Sequence, residues 1–164
     1  MRGPGSSSHV LKIAVGLLFG ALGGLLGTAG MYGVAALELA VAGVPFGSWM
    51  SATEVGFGGA VGSVFGLTGV PLHVVHGFAI GALVGATLFR LRPRISPLGG
   101  TWVGALAGVV LWTGVLALSP SARTLQGNGP PLALSFVMHV AFGVATGVTV
   151  AVGARWWGRR RTAG

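Results

Sequence analysis

Residues 72–94, LHVVHGFAIGALVGATLFRLRPR, form an apolar run that ends abruptly in arginines. The run carries no formal charge from 72 to 89, and its titratable groups are His73 and His76. Three arginines close it: Arg90, Arg92 and Arg94. A helix needs about 20 apolar residues to cross a bilayer. We therefore predict a membrane helix that ends at a basic surface.

One face of this predicted helix is lined with small residues. His73, Gly77, Gly81 and Gly85 recur at every fourth position, so on a helix they form one nearly straight ridge. Small residues in such a ridge let a partner helix approach closely in a membrane. The pattern therefore predicts close helix packing.

Composition places the whole chain in the membrane class. Of 164 residues, 52% are hydrophobic and 7% are charged, and the mean hydropathy is +0.84. A soluble domain carries about 25% charged residues. Cysteine is absent, which excludes disulfides and thiolate metal sites. We interpret the chain as one small membrane domain.

The net charge of +8 is concentrated after the apolar runs. A second basic cluster follows the last run: Arg159, Arg160 and Arg161. Arginines in these places are typical of topology determinants on the cytoplasmic side, with contact to anionic lipid as a second role. The pattern argues against nucleic-acid binding and predicts a multi-pass protein of the cell (inner) membrane with both termini cytoplasmic.

The expected fold is an all-α membrane protein with four transmembrane helices, arranged as two parallel repeated helix pairs. A single domain over 12–157 is expected to follow a cytoplasmic tail, 1–11, and to precede a basic cytoplasmic tail, 158–164. The spans are predicted at about 13–37, 71–90, 97–118 and 132–154. Because Lys12 and the arginines after 89 belong on one side, the segment 48–70 is expected to be a short outer-face or re-entrant helix.

An internal repeat supports this arrangement. His73, Gly77 and Gly81 align with a second series, His139, Gly143 and Gly147. The first and third spans share a glycine spacing in the same way. The glycines predicted to pack helices are Gly16, Gly20, Gly24, Gly77, Gly81, Gly85, Gly100, Gly104, Gly108, Gly143 and Gly147. Since each pair starts and ends on the same side, the repeat is parallel.

The histidines are the candidate ligands. His73 and His139, supported by His76, are candidate ligands of a haem, and His73 and His139 with Glu38 are candidate ligands of a divalent metal. The alternatives are a proton relay and neutral imidazoles that pack helices through hydrogen bonds, each worth about 0.6 kcal/mol.

No catalytic constellation stands out in the sequence, which lacks aspartate, a P-loop motif and HExxH. We therefore expect a non-enzymatic integral membrane protein that serves as a structural or accessory subunit of a larger membrane complex. Its expected partners are membrane lipid and other membrane subunits or itself. A haem- or metal-binding membrane module and a small transporter are the alternatives.

The two helices with the His-x3-Gly-x3-Gly pattern, the glycine-rich first span and the proline-rich loop before the last helix resemble a group of small prokaryotic four-helix membrane proteins. That resemblance implies architecture and no particular activity.

Overall fold

The computed structural model describes residues 5–43, 69–92, 94–118 and 132–162. These residues form four helices and no strand: α1 (Gly5–Val41), α2 (Gly69–Leu91), α3 (Pro97–Leu118) and α4 (Leu132–Thr162). The prediction of an all-α protein is confirmed for this part of the chain. Most of the predicted outer segment, 48–70, lies outside the described residues, and its last two residues begin α2.

Three helices are long and apolar enough to cross a membrane: His9–Val41, His73–Leu91 and Ala133–Arg160. This is compatible with a multi-pass membrane protein. Within the described residues α3 is not one of the three, although it has 22 residues. Four spans therefore remain a prediction.

Helices that follow one another along the chain run antiparallel. α1 packs extensively against α2 and α4, α3 packs extensively against α4, and α2 touches α4 over a smaller area. The start of α1, the end of α2, the start of α3 and the end of α4 consequently share one end of the bundle, which we call the arginine end. The opposite end carries His73 and His139 and is called the histidine end.

Two helices extend beyond the predicted spans. α1 begins at Gly5, within the segment 1–11 assigned to a tail, and α4 continues to Thr162, into the predicted basic tail. Polar and basic residues beyond the hydrocarbon core do not stop a helix, because intrahelical backbone hydrogen bonds form in water as well. α1 ends at Val41, and Gly43 two residues later has a positive φ of 67, which is typical just after a helix C-terminus.

Buried side chains form one cluster near each end. The cluster at the histidine end comprises Ala35, Leu39, Leu134 and Met138. The cluster at the arginine end comprises Val15, Leu88, Phe89, Val150 and Ala154. Each joins α1 to α4, and the second also includes the end of α2. Hydrophobic contact thus fixes the bundle at both ends, and glycine contacts fill the length between them.

Candidate functional site

The α1–α2 interface is a contact between two glycine ridges. A Cβ placed on Gly20 would lie 2.8 Å from the Cα of Gly85, and one on Gly81 would lie 2.7 Å from the Cα of Gly24. Real Cβ atoms essentially never come so close to backbone atoms. The two backbones are therefore in direct contact, which no residue larger than glycine permits at these positions without a shift.

The α3–α4 interface is also a direct backbone contact between glycine ridges. A Cβ on Gly104 would overlap the backbone of Gly143, and one on Gly100 would overlap the backbone of Gly147. Gly108 lies against the carbonyl of His139. The structure thus places all the glycines predicted to pack helices at helix contacts.

The two pairs differ in register by one helical turn. The repeat in the sequence makes Gly104 equivalent to Gly20 and Gly147 equivalent to Gly81. In the first pair the Cβ of Gly20 would meet the carbonyl of Gly81, whereas that of Gly104 would meet the carbonyl of Gly143. Because the glycines recur every four residues, registers one turn apart both place glycine opposite glycine, and the sequence pattern alone does not distinguish them.

A third interface, between α1 and α4, was not predicted from the sequence. Gly23 lies against Thr146, Gly27 against Phe142, and Gly153 against the ring of Phe19. Gly23 and Gly27 lie outside the three-glycine ridge of α1, and their neighbours on α4 are larger residues, so the spacing of small residues does not reveal this contact. α1 consequently offers one glycine face to α2 and another to α4.

At the histidine end, α1 and α2 meet through an aromatic contact. The rings of Tyr32 and His73 are 6.0 Å apart between centroids, with an angle of 73° between their planes. One turn earlier on α1, the buried Thr28 donates its hydroxyl to the carbonyl of Gly24 at 2.9 Å and lies against Gly77. The polar side chains here are held by contacts within the bundle.

His139 on α4 has a defined ring orientation. Its Nδ1 lies 2.7 Å from the carbonyl oxygen of Ser135, one turn earlier in the same helix. A carbonyl only accepts, so Nδ1 is the donor, and in the neutral ring Nε2 carries the lone pair. His73 on α2 and His139 on α4, the two histidines that the repeat related, both lie at the histidine end of the bundle.

The predicted three-ligand metal site is not assembled in the described residues. No group of three or more His, Asp or Glu side chains there is placed to hold a metal ion. Glu38 is exposed near the end of α1. His76 lies on α2 one turn after Pro71 and is partly buried, and it makes interactions of its own. Glu38 therefore forms no three-ligand group with His73 and His139 in this part of the chain.

The arginine end is a basic surface with aromatic side chains. The guanidinium of Arg160 lies over the ring of Trp156, 4.8 Å from its centroid, and that ring contacts Phe19 at 5.9 Å. The exposed arginines at this end are Arg90, Arg92, Arg94, Arg155, Arg159 and Arg160. Arg161 lies in the last turn of α4.

Comparisons of the chain with protein-family models, with curated proteins and with solved structures find no match. The fold itself defines the class: an all-α protein with three helices long and apolar enough to cross a membrane.

Proposed function

We propose that this chain is a non-enzymatic integral membrane protein whose four helices span the cell membrane, with both termini cytoplasmic, and that it serves as a structural or accessory subunit of a larger membrane complex. The arginine end would face the cytoplasm, because basic residues next to spans are retained there. In this arrangement α3 crosses the membrane beside α4.

The outer face of α3 is the observation that carries this proposal. An apolar row runs along α3: Leu98, Trp102, Leu106 and Val110. Each member is two residues away from a packing glycine. Two residues on a helix correspond to a rotation of about 200° around the helix axis, so the row lies on the side opposite the glycines. The row therefore points away from α4, and Trp102 is 70% exposed. Since α4 is the one described helix against which α3 packs extensively, this face is available to a helix of another subunit.

Purification in a mild detergent tests the proposal. We expect a second membrane protein to copurify in fixed stoichiometry with the tagged chain. The double variant Trp102→Ala and Leu106→Ala should reduce its recovery at least tenfold, because large aromatic and aliphatic side chains at the centre of an interface contribute most of the binding energy.

A matched control uses two leucines on α1, Leu18→Ala with Leu26→Ala, whose exposures of 57% and 60% are close to the 64% of Leu106. The control variant should retain the partner. Recovery of the free chain alone, or equal loss of the partner in both double variants, would contradict the proposal.

The orientation of His139 favours a second candidate function, a haem- or metal-binding membrane module. Histidines that bind metals commonly donate the other ring nitrogen to a backbone carbonyl, as Nδ1 of His139 does to Ser135. His73 would supply the second nitrogen ligand. The two histidines would supply nitrogen ligands to a haem iron, or to a divalent metal whose coordination is completed by water or a partner's ligand.

Absorbance near the Soret band and metal analysis of the purified protein test this second function. We expect one bound haem or metal ion in the natural chain and in His9→Ala, which removes a histidine from the start of α1. His73→Ala and His139→Ala should each lose it. A natural chain without pigment or metal would exclude this candidate.

A further inference from the structure

We propose that the arginine end of the bundle is a binding site for the phosphate headgroup of an anionic phospholipid, built jointly by the end of α2, the α2–α3 connection and the end of α4. The inference rests on the membrane location in the proposed function. It does not depend on a partner subunit.

Packing brings the three segments together. Leu88 and Phe89 at the end of α2 share one buried cluster with Val150 and Ala154 of α4. Ile95 of the connection and Trp157 of α4 pack against the same cluster. The arginines that flank these residues along the chain are thus held around one core.

The connection itself is tightly turned. The backbone N–H of Arg92 donates to the carbonyl of Leu88 at 2.7 Å, and that of Ile95 donates to the carbonyl of Arg92 at 3.2 Å. Ser96 then starts α3, accepting the N–H of Gly99 on its hydroxyl at 3.0 Å. The backbones of Arg92 and Arg94 therefore stay beside the helix ends.

The described residues place no acidic side chain at this surface. Its arginines are exposed. Within the described part of the chain the acidic residue is Glu38. The length of α1 between Lys12 and Glu38 is about 39 Å, at ~1.5 Å per residue, so Glu38 lies at the histidine end. Like charges held together repel one another, so an anion bound among them is favoured. Arginine forks bind phosphate oxygens in pairs.

The aromatic residues place this site at the level of lipid headgroups. Trp156 and Trp157 lie on α4 where its apolar run meets the last arginines, as tryptophans do at a membrane surface. Arg160 rests on the Trp156 ring, 4.8 Å from its centroid, which holds its guanidinium at that level. Basic surfaces between helices on the cytoplasmic side bind anionic headgroups. A lipid phosphate is therefore a better fit than a dissolved phosphate ion.

The test uses the purified full-length chain in nanodiscs of phosphatidylcholine, with phosphatidylglycerol or diphosphatidylglycerol added as the probe. We expect saturable binding of the anionic lipid, measured by native mass spectrometry and by a rise in melting temperature. Inorganic phosphate at the same concentration should give neither effect. Equal binding of inorganic phosphate would overturn the assignment to a headgroup.

Charge-removing variants locate the site. Arg94→Gln on the connection and Arg160→Gln on α4 should each weaken lipid binding about fivefold, since one basic residue near the surface contributes about 1 kcal/mol. Arg94→Lys and Arg160→Lys, which keep the charge, should stay within about threefold of the natural chain and show that the fold is intact.

Arg123→Gln is the matched control, because it removes the same charge from the segment that joins the other ends of α3 and α4. It should leave binding unchanged. If Arg123→Gln weakened binding as much as the other two glutamine variants, or if neither of those had an effect, the proposed site would be wrong. The lipid-binding test uses the purified chain without a partner subunit. Its failure would therefore not affect the copurification test of the proposed function.

Discussion

The ring of Phe19 on α1 lies directly against the backbone of Gly153 on α4, in the space that a Cβ at position 153 would occupy. The same ring contacts Trp156, one turn further along α4. Phe19 therefore joins the first helix to the last, close to the arginine end. The ring fits there because Gly153 has no side chain.

We expect Gly153→Ala to lower the free energy of unfolding by about 1–3 kcal/mol, because the added methyl group forces the Phe19 ring to move. Phe19→Leu in the same chain should recover part of that loss, since the smaller side chain frees space. Thermal unfolding of the four proteins of the cycle in one detergent measures the coupling, expected to be at least about 0.5 kcal/mol. Strictly additive effects would show that the two residues do not meet.

The glycine contact between α1 and α2 makes a second prediction. Gly20→Val and Gly81→Val should each destabilise the bundle by about 3 kcal/mol or more, because each side chain would be driven into the facing backbone. Gly30→Val is the control, because a Cβ at Gly30 would meet nothing within 4 Å. Unfolding in detergent should leave that variant close to the natural chain, and comparable losses at all three positions would contradict the interface.

The start of α3 depends on Ser96, whose hydroxyl accepts the N–H of Gly99 at 3.0 Å just before Pro97 in the first turn. Ser96→Ala should cost about 1 kcal/mol, whereas Ser96→Asn, which also caps a helix, should cost a few tenths at most. Melting temperatures distinguish the two. A similar loss in both variants would mean that the hydroxyl does not cap α3.

The antiparallel order of the helices predicts a labelling pattern. The chain has no cysteine, so single introduced thiols report without background. In intact cells an impermeant maleimide should label Val41→Cys, at the histidine end, and should reach Arg92→Cys, at the arginine end, only after the membrane is permeabilised. Labelling of both thiols from outside would exclude the proposed topology.

Several features could be predicted from the sequence because they depend on local spacing. Helices follow from the apolar runs, and glycines at every fourth position place Gly81 on a contact face whatever its partner. The low share of charged residues argued against a soluble fold before any contact was known. Patterns of this kind are properties of a single segment.

Relations between segments were harder to predict. The register of Gly104 against Gly143 is one of two that the glycine spacing allows equally. Gly23 and Gly27 pack against large residues of α4, so no run of small residues marks their partner. The repeat predicted that His73 and His139 lie at the same end of the bundle, whereas the exposure of Glu38 depends on where α1 ends.

The two glycine faces of α1 have a consequence for biosynthesis. α1 and α2 follow each other along the chain and can associate as a hairpin as soon as both are in the bilayer. The partner of Gly23 and Gly27 is α4, the last of the four helices to be synthesised. In the proposed membrane arrangement, that face of α1 stays against lipid until α4 is inserted. Closure of the bundle therefore waits for the synthesis of α4.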